Sequence, residues 1–172
     1  FEKFNSKYPP MKKILIADDH QLFTECLVNT LSDVPDIKIV ATAQNGKEAL
    51  EKIKKHNPSI ALLDIGMPVI DGFEAAETIK ERHPECKVIM LTARDSIEDI
   101  ETALRAGIKG YVLKNASREE LTTAIDTVDK GNLWFSNDTA IKIKDSLING
   151  TPGKQQTPGE SRVKLTKREL QI

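Results

Sequence analysis

Ile60-Ala61-Leu62-Leu63-Asp64-Ile65-Gly66-Met67-Pro68-Val69-Ile70-Asp71-Gly72 runs four apolar residues into a lone carboxylate, and a Gly/Pro/Asp-Gly turn cluster comes next. A short continuous apolar run bounded by turn signals reads as a strand buried on both faces, here delivering Asp64 to its carboxyl end. In open parallel α/β sheets ligands bind beyond the carboxyl ends of the strands, so an acid at that edge is a site candidate.

The same arrangement recurs upstream. Ile14-Leu15-Ile16-Ala17 empties into Asp18-Asp19-His20, and Gln21 to Ser32 then places Leu22, Phe23, Cys26, Leu27, Thr30 and Leu31 at the three-and-four spacing of an amphipathic helix. Ile37 to Ala43 is a β-rich strand. Asn45 with Glu48 three residues on caps a helix with Ala49, Leu50 and Ile53 inside, closed by His56-Asn57-Pro58. Downstream of Gly72, a helix from Phe73 to His83 with Phe73, Ala76 and Ile79 or Lys80 at helical spacing stops at Pro84, and Lys87 to Leu91 is a fourth strand ending on Thr92. Ser96 with Asp99 caps a helix that turns Ile97, Ile100, Ala103 and Leu104 inward and ends at Gly107; Gly110 to Leu113 is a fifth strand ending on Lys114; Ser117-x-x-Glu120 caps a last helix that stops at Gly131.

Five βα units without a hairpin signal predict an α/β fold: a doubly wound five-stranded parallel sheet with helices on both faces. Right-handed crossovers favour the flavodoxin-like strand order 2-1-3-4-5, with the crevice at strands one and three. Those strands carry Asp18, Asp19 and Asp64. Beyond Gly131, Leu133-Trp134-Phe135 and a loosely helical Thr139 to Ile148 read as a short helical extension.

Composition bounds the function. The chain has 172 residues and a net charge of -1, but residues 11–149 carry 18 Lys+Arg against 23 Asp+Glu, and residues 150–172 carry 5 against 2. An acidic body is a poor direct grip on nucleic acid, whereas a basic tail leads toward one. Cys26 and Cys86 have no CxxC spacing, which argues against zinc or a disulfide framework and suits a reducing cytoplasm. No apolar run reaches the roughly 18 residues of a membrane span.

Clustered carboxylates repel unless a cation neutralises them, and an oxygen-only donor set suits Mg²⁺, with Mn²⁺ the other candidate, better than zinc. His20, beside the acid pair, reads as a surface neighbour more readily than a ligand. Thr92 and Lys114 end neighbouring strands. Each alone is ordinary, but with Asp64 and a divalent cation they provide a nucleophilic oxygen, charge neutralisation and fixed donors, the parts of phosphoryl transfer.

Asp18-Asp19 after strand one, Leu63-Asp64-Ile65-x-Met67-Pro68-x-x-Asp71-Gly72, Leu91-Thr92-Ala93 and Gly107-x-x-Gly110-Tyr111-x-x-Lys114 resemble the receiver domain of bacterial two-component response regulators, and Leu165 to Leu170 resembles the start of a LuxR/NarL-type helix-turn-helix. The resemblance implies that Asp64 is the phosphoacceptor for a sensor histidine kinase and that Asp18 (through water), Asp19, Asp64 and the Gly66 carbonyl hold Mg²⁺. It also implies that Thr92 and Lys114 contact the phosphoryl group and that Tyr111 changes rotamer as Thr92 moves. A homodimer on phosphorylation and DNA binding through a C-terminal domain are implied partners; a turnover enzyme is not. The expected division is 1–10 a leader, 11–131 the receiver, 132–149 the helical extension, 150–164 a flexible linker and 165–172 the start of a truncated LuxR-type helix-turn-helix. Val69-Ile70 departs from the commoner Gly-containing loop. Two other readings are a receiver-like interaction module that works without phosphate, and an Asp-nucleophile phosphatase. Such phosphatases have a D-x-D pattern after strand one, where this chain has Asp18-Asp19-His20.

Overall fold

The computed structural model describes residues 9–150, so most of the leader, the predicted linker and the helix-turn-helix start lie outside the described residues. The order is β1 (Lys12–Ala17), α1 (Gln21–Ser32), β2 (Ile37–Ala43), α2 (Gly46–His56), β3 (Ile60–Leu63), α3 (Gly72–Arg82), β4 (Lys87–Thr92), α4 (Ile97–Arg105), β5 (Gly110–Leu113), α5 (Arg118–Asp129), β6 (Trp134–Phe135) and α6 (Asn137–Asn149). All pairings are parallel, and the strands lie in the order β2-β1-β3-β4-β5-β6.

Strand alternation builds two cores. Leu15, Ala17, Ala61, Leu63, Val88, Met90 and Tyr111 point toward α2, α3 and α4, where Ile53, Ile79 and Ile100 meet them. Ile14, Ile16, Leu62, Ile89, Leu91 and Val112 point to α1 and α5, against Leu27, Leu31, Leu121 and Ile125. Both faces of the sheet are therefore apolar, which is why its strands lack a polar alternation. Caps set the helix starts: Asn45, Asp71, Ser96 and Ser117 accept the N–H of Glu48, Glu74, Asp99 and Glu120 at 2.9–3.1 Å.

Two expectations are corrected. A sixth strand exists: Trp134 and Phe135, predicted as part of a helical extension, pair with Gly110 and Tyr111 and send one ring to each core. Two residues are too few to show an alternation. In α1, Leu22 is 83% exposed and Cys26 is exposed, while Thr24, Leu27 and Leu31 are buried. Leu27 and Leu31 of the expected stripe are buried and Phe23 packs partly against the same core, so the spacing fails only at Leu22 and Cys26 and passes over the buried Thr24.

The loop after β3 is held rigidly. Gly46 N–H donates to the Ile70 carbonyl at 3.0 Å, Ile70 N–H to Pro68 at 2.8 Å and Gly72 N–H to Ile65 at 3.0 Å. Between them Val69 is held at φ 70°, a left-handed conformation that costs a β-branched residue about 1–2 kcal/mol. A Cβ on Gly72 would lie 2.3 Å from the Asp64 carbonyl, so α3 can begin this close to Asp64 only with glycine.

Candidate functional site

Asp18, Asp64, Thr92 and Lys114 stand at or just past the end of a strand and are tied to the neighbour strand by the backbone, while Tyr111 lies within β5 and Gly66 in the bend beyond β3. Asp18 N–H donates to Ala43 at 3.0 Å, Asp64 N–H to Ala17 at 2.9 Å and Lys114 N–H to the Thr92 carbonyl at 2.8 Å. The sheet therefore fixes the Cα positions of Asp18, Asp64, Thr92 and Lys114 along one edge, as a rigid scaffold should.

Asp18 and Asp64 are buried, Asp19 is more open, and the Lys114 ammonium spans the two buried acids, 2.6 Å from Asp18 Oδ2 and 3.4 Å from Asp64 Oδ2. Burial pushes the Asp64 carboxyl above the usual range, the Asp18 charge adds to this, and Lys114 pulls it back. Opposite Asp18 Oδ2, its Oδ1 accepts both His20 N–H at 2.8 Å and a contact from His20 Nδ1 at 2.9 Å. Ligand atoms from Asp18, Asp19, His20 and Asp64 all lie within 4.8 Å of one another. Three carboxylates converging at this range fit a hard divalent cation, and the imidazole nitrogen also tolerates Mn²⁺. Gly66 lies exposed in the bend after Asp64, with open space where a side chain would stand.

Thr92 is buried, and its Oγ1 accepts Arg94 N–H at 3.1 Å. Tyr111 is fully buried and its hydroxyl donates to the Arg94 carbonyl at 2.6 Å; burial, with the nearby Asp99 charge, drives its pKa up, so the hydroxyl keeps its proton.

Three contributors were not singled out in the sequence as site residues. Phe23 of α1 lies under the Lys114 ammonium, 4.8 Å from ring centroid to nitrogen, a cation–π contact. Arg94 Nε pairs with Asp99 at 2.8 Å, which makes Asp99 an acid on the buried side of α4. His20 lies within the acid cluster rather than beside it. Nothing in the local pattern reports a long-range partner; only the proximity of His20 to the Asp pair was a usable signal.

A parallel sheet with an acid cluster, an ammonium and a hydroxyl at its carboxyl edge is the arrangement of a receiver-type domain. The family model for the response regulator receiver domain matches residues 14–126, and the chain belongs to that family. Among curated relatives it is 35% identical over 161 residues to the oxygen regulatory protein NreC of Staphylococcus haemolyticus, covering 93% of this chain and 74% of that protein. It is 31% identical over 170 residues to the transcriptional regulatory protein DegU of Brevibacillus brevis, covering 93% and 72%. Among solved structures, a LuxR-family DNA-binding response regulator from Staphylococcus aureus superposes with a TM-score of 0.66 at 32% identity, covering 69% of this chain and 99% of that one. A LuxR-family two-component response regulator from Aurantimonas sp. SI85-9A1 gives 0.76 at 26% identity, covering 80% and 99%. These relatives are regulatory proteins and response regulators. Among the described residues no helix is long and apolar enough to cross a membrane.

Proposed function

We propose that the chain is the receiver part of a phosphorylation-activated NarL/LuxR-type transcription regulator, with Asp64 the phosphoacceptor. The observation that carries this reading is the Lys114 ammonium shared between Asp18 and Asp64 at 2.6 and 3.4 Å, one strand away from the Thr92 hydroxyl. An Asp64 oxygen attacks the phosphorus of a histidine kinase's phosphohistidine. The P–N bond breaks, the imidazole takes the electron pair and a proton, and an acyl phosphate forms on Asp64.

Asp18, Asp19, Asp64 and the Gly66 carbonyl would hold Mg²⁺, with Asp18 acting through water. When bound, the metal neutralises charge on the phosphoryl oxygens. Lys114 leaves Asp18 for the new phosphoryl group, whose roughly two negative charges attract it more strongly than a single carboxylate does. The Thr92 hydroxyl turns to donate to the same group, and Tyr111 moves into the space Thr92 gives up. Two charge-assisted contacts of about 1.5–3 kcal/mol each supply much of the about 5.5 kcal/mol that moves a two-state element from 1:99 to 99:1. Homodimerisation, and DNA binding through a domain C-terminal to the described residues, complete the output; the setting is cytoplasmic.

The test is intact-mass analysis after incubation with acetyl phosphate and Mg²⁺. One phosphoryl adduct on the wild type, absent with EDTA and absent in Asp64→Asn, is the expected result. No adduct, together with no beryllofluoride binding, refutes the reading and leaves the phosphate-independent module. Phosphomonoester turnover that survives Asp64→Asn and is lost in Asp18→Asn points to the phosphatase instead.

A further inference from the structure

The loop between β4 and α4 is held from two directions at consecutive residues. From the site, Thr92 Oγ1 accepts Arg94 N–H at 3.1 Å and the Tyr111 hydroxyl donates to the Arg94 carbonyl at 2.6 Å. The next residue faces outward. Lys142 of α6 donates to both the Asp95 carbonyl, at 3.0 Å, and its carboxylate, at 2.5 Å. One turn further along α6, Ser146 donates to Glu101 of α4 at 2.9 Å.

Among the described residues little else holds α6 down. Thr139 is the buried residue of the helix, Ile143 only partly covers the core, and Ile141, Leu147 and Ile148 are exposed. The Lys142–Asp95 pair is exposed and the Ser146–Glu101 contact is only part-buried, and a helix seated mainly by such polar contacts is weakly held, because each contributes little in water. Its attachment is therefore easily tipped by a small shift of its anchor.

We propose that α6 is a strap released by phosphorylation, with Asp95 as the catch and Lys142 as the tongue. This rests on the reading of Asp64 as phosphoacceptor. When Thr92 swings toward the phosphoryl group it draws away from Arg94 N–H, and Tyr111 moves with it. The Arg94-Asp95 peptide loses both of its inner restraints and turns, the two Asp95 oxygens leave Lys142 together, and α6 lifts from α4. Every residue beyond Gly150 is joined to the receiver through α6, so the strap is the covalent route by which the site acts on the C-terminal part of the chain.

Hydrogen exchange on the full chain tests this, with beryllofluoride and Mg²⁺ standing in for the acyl phosphate. Amides of residues 137–149 are expected to exchange at least about fivefold faster once beryllofluoride is bound, the lower end of ordinary coupling between sites. In Lys142→Met they are expected to exchange fast in both states, while acetyl phosphate labels that variant at the wild-type rate. Protection of the β3–α3 and β4–α4 loops by beryllofluoride with no change in α6 overturns the strap and leaves the phosphoacceptor reading standing. So does a resting Lys142→Met whose α6 exchanges as slowly as the wild type. Absence of any beryllofluoride effect, with no acetyl phosphate adduct, brings down both.

Discussion

Replacing Asp64 with asparagine is expected to make the metal-free protein more stable. At an effective dielectric near 20, the Asp18–Asp64 repulsion, between oxygens that lie within 4.8 Å of one another, is at least about 3.5 kcal/mol and the Lys114–Asp64 attraction at 3.4 Å is about 4.9 kcal/mol. The two nearly cancel, so the cost of burying the charge, a few kcal/mol, decides the sign. The uncharged amide avoids that cost and leaves Lys114 bound to Asp18. The net gain is about 1–2 kcal/mol, or about 3–6 °C in midpoint. The pH dependence is set by the raised folded-state pKa. Below the ordinary value of 3.8 Asp64 is protonated in both folded and unfolded states and the substitution gains nothing; as pH rises through the raised folded value the penalty appears, and it is complete at neutrality. Urea melts of both proteins at pH 7.5 and pH 4, in EDTA and in Mg²⁺, measure it. The gap should be widest at pH 7.5 in EDTA and should shrink with acid or with metal. Equal stability at pH 7.5 in EDTA, or a gap that ignores pH, refutes the electrostatic account.

Gly72→Ala should destabilise by about 2–3 kcal/mol in the same melts, because its Cβ would meet the Asp64 backbone at 2.3 Å. Phe23→Leu keeps the apolar bulk but removes the ring face under Lys114. A loss of about 1 kcal/mol should slow acetyl phosphate labelling about fivefold, and Phe23→Trp should retain the wild-type rate.

Strand-then-acid patterns were legible because a buried parallel strand declares itself in four residues and its last residue marks the edge. Asp18, Asp64, Thr92 and Lys114 were placed at one edge by counting strands, and the structure brings their side chains to that edge. Helix caps at Asn45, Ser96 and Ser117 were legible for the same reason: their partner is three residues away. The features that stayed hidden depend on partners distant in sequence. Phe23 meets Lys114 across 91 positions, Tyr111 meets Arg94 across 17, and Lys142 meets Asp95 across 47. The strain at Val69 had only an indirect signal, Val69-Ile70 standing where the resembled family commonly has a Gly-containing loop; the bonds of Gly46, Ile70 and Gly72 around it enforce the left-handed turn.

The two-residue β6 shortens the run on one flank of the sheet that is open to strand addition. An edge strand offers an unpaired row of amides and carbonyls to any passing chain, and the hazard grows with its length. By docking on β5, β6, which is only Trp134 and Phe135, covers Gly110 and Tyr111 and leaves just Val112 and Leu113 of that strand without a β6 partner. The opposite rim is the seven-residue β2, where the exposed charge of Lys38 discourages an incoming strand. Copies of this protein at high concentration should therefore meet through helices and stay reversible, because neither flank favours a growing stack of strands.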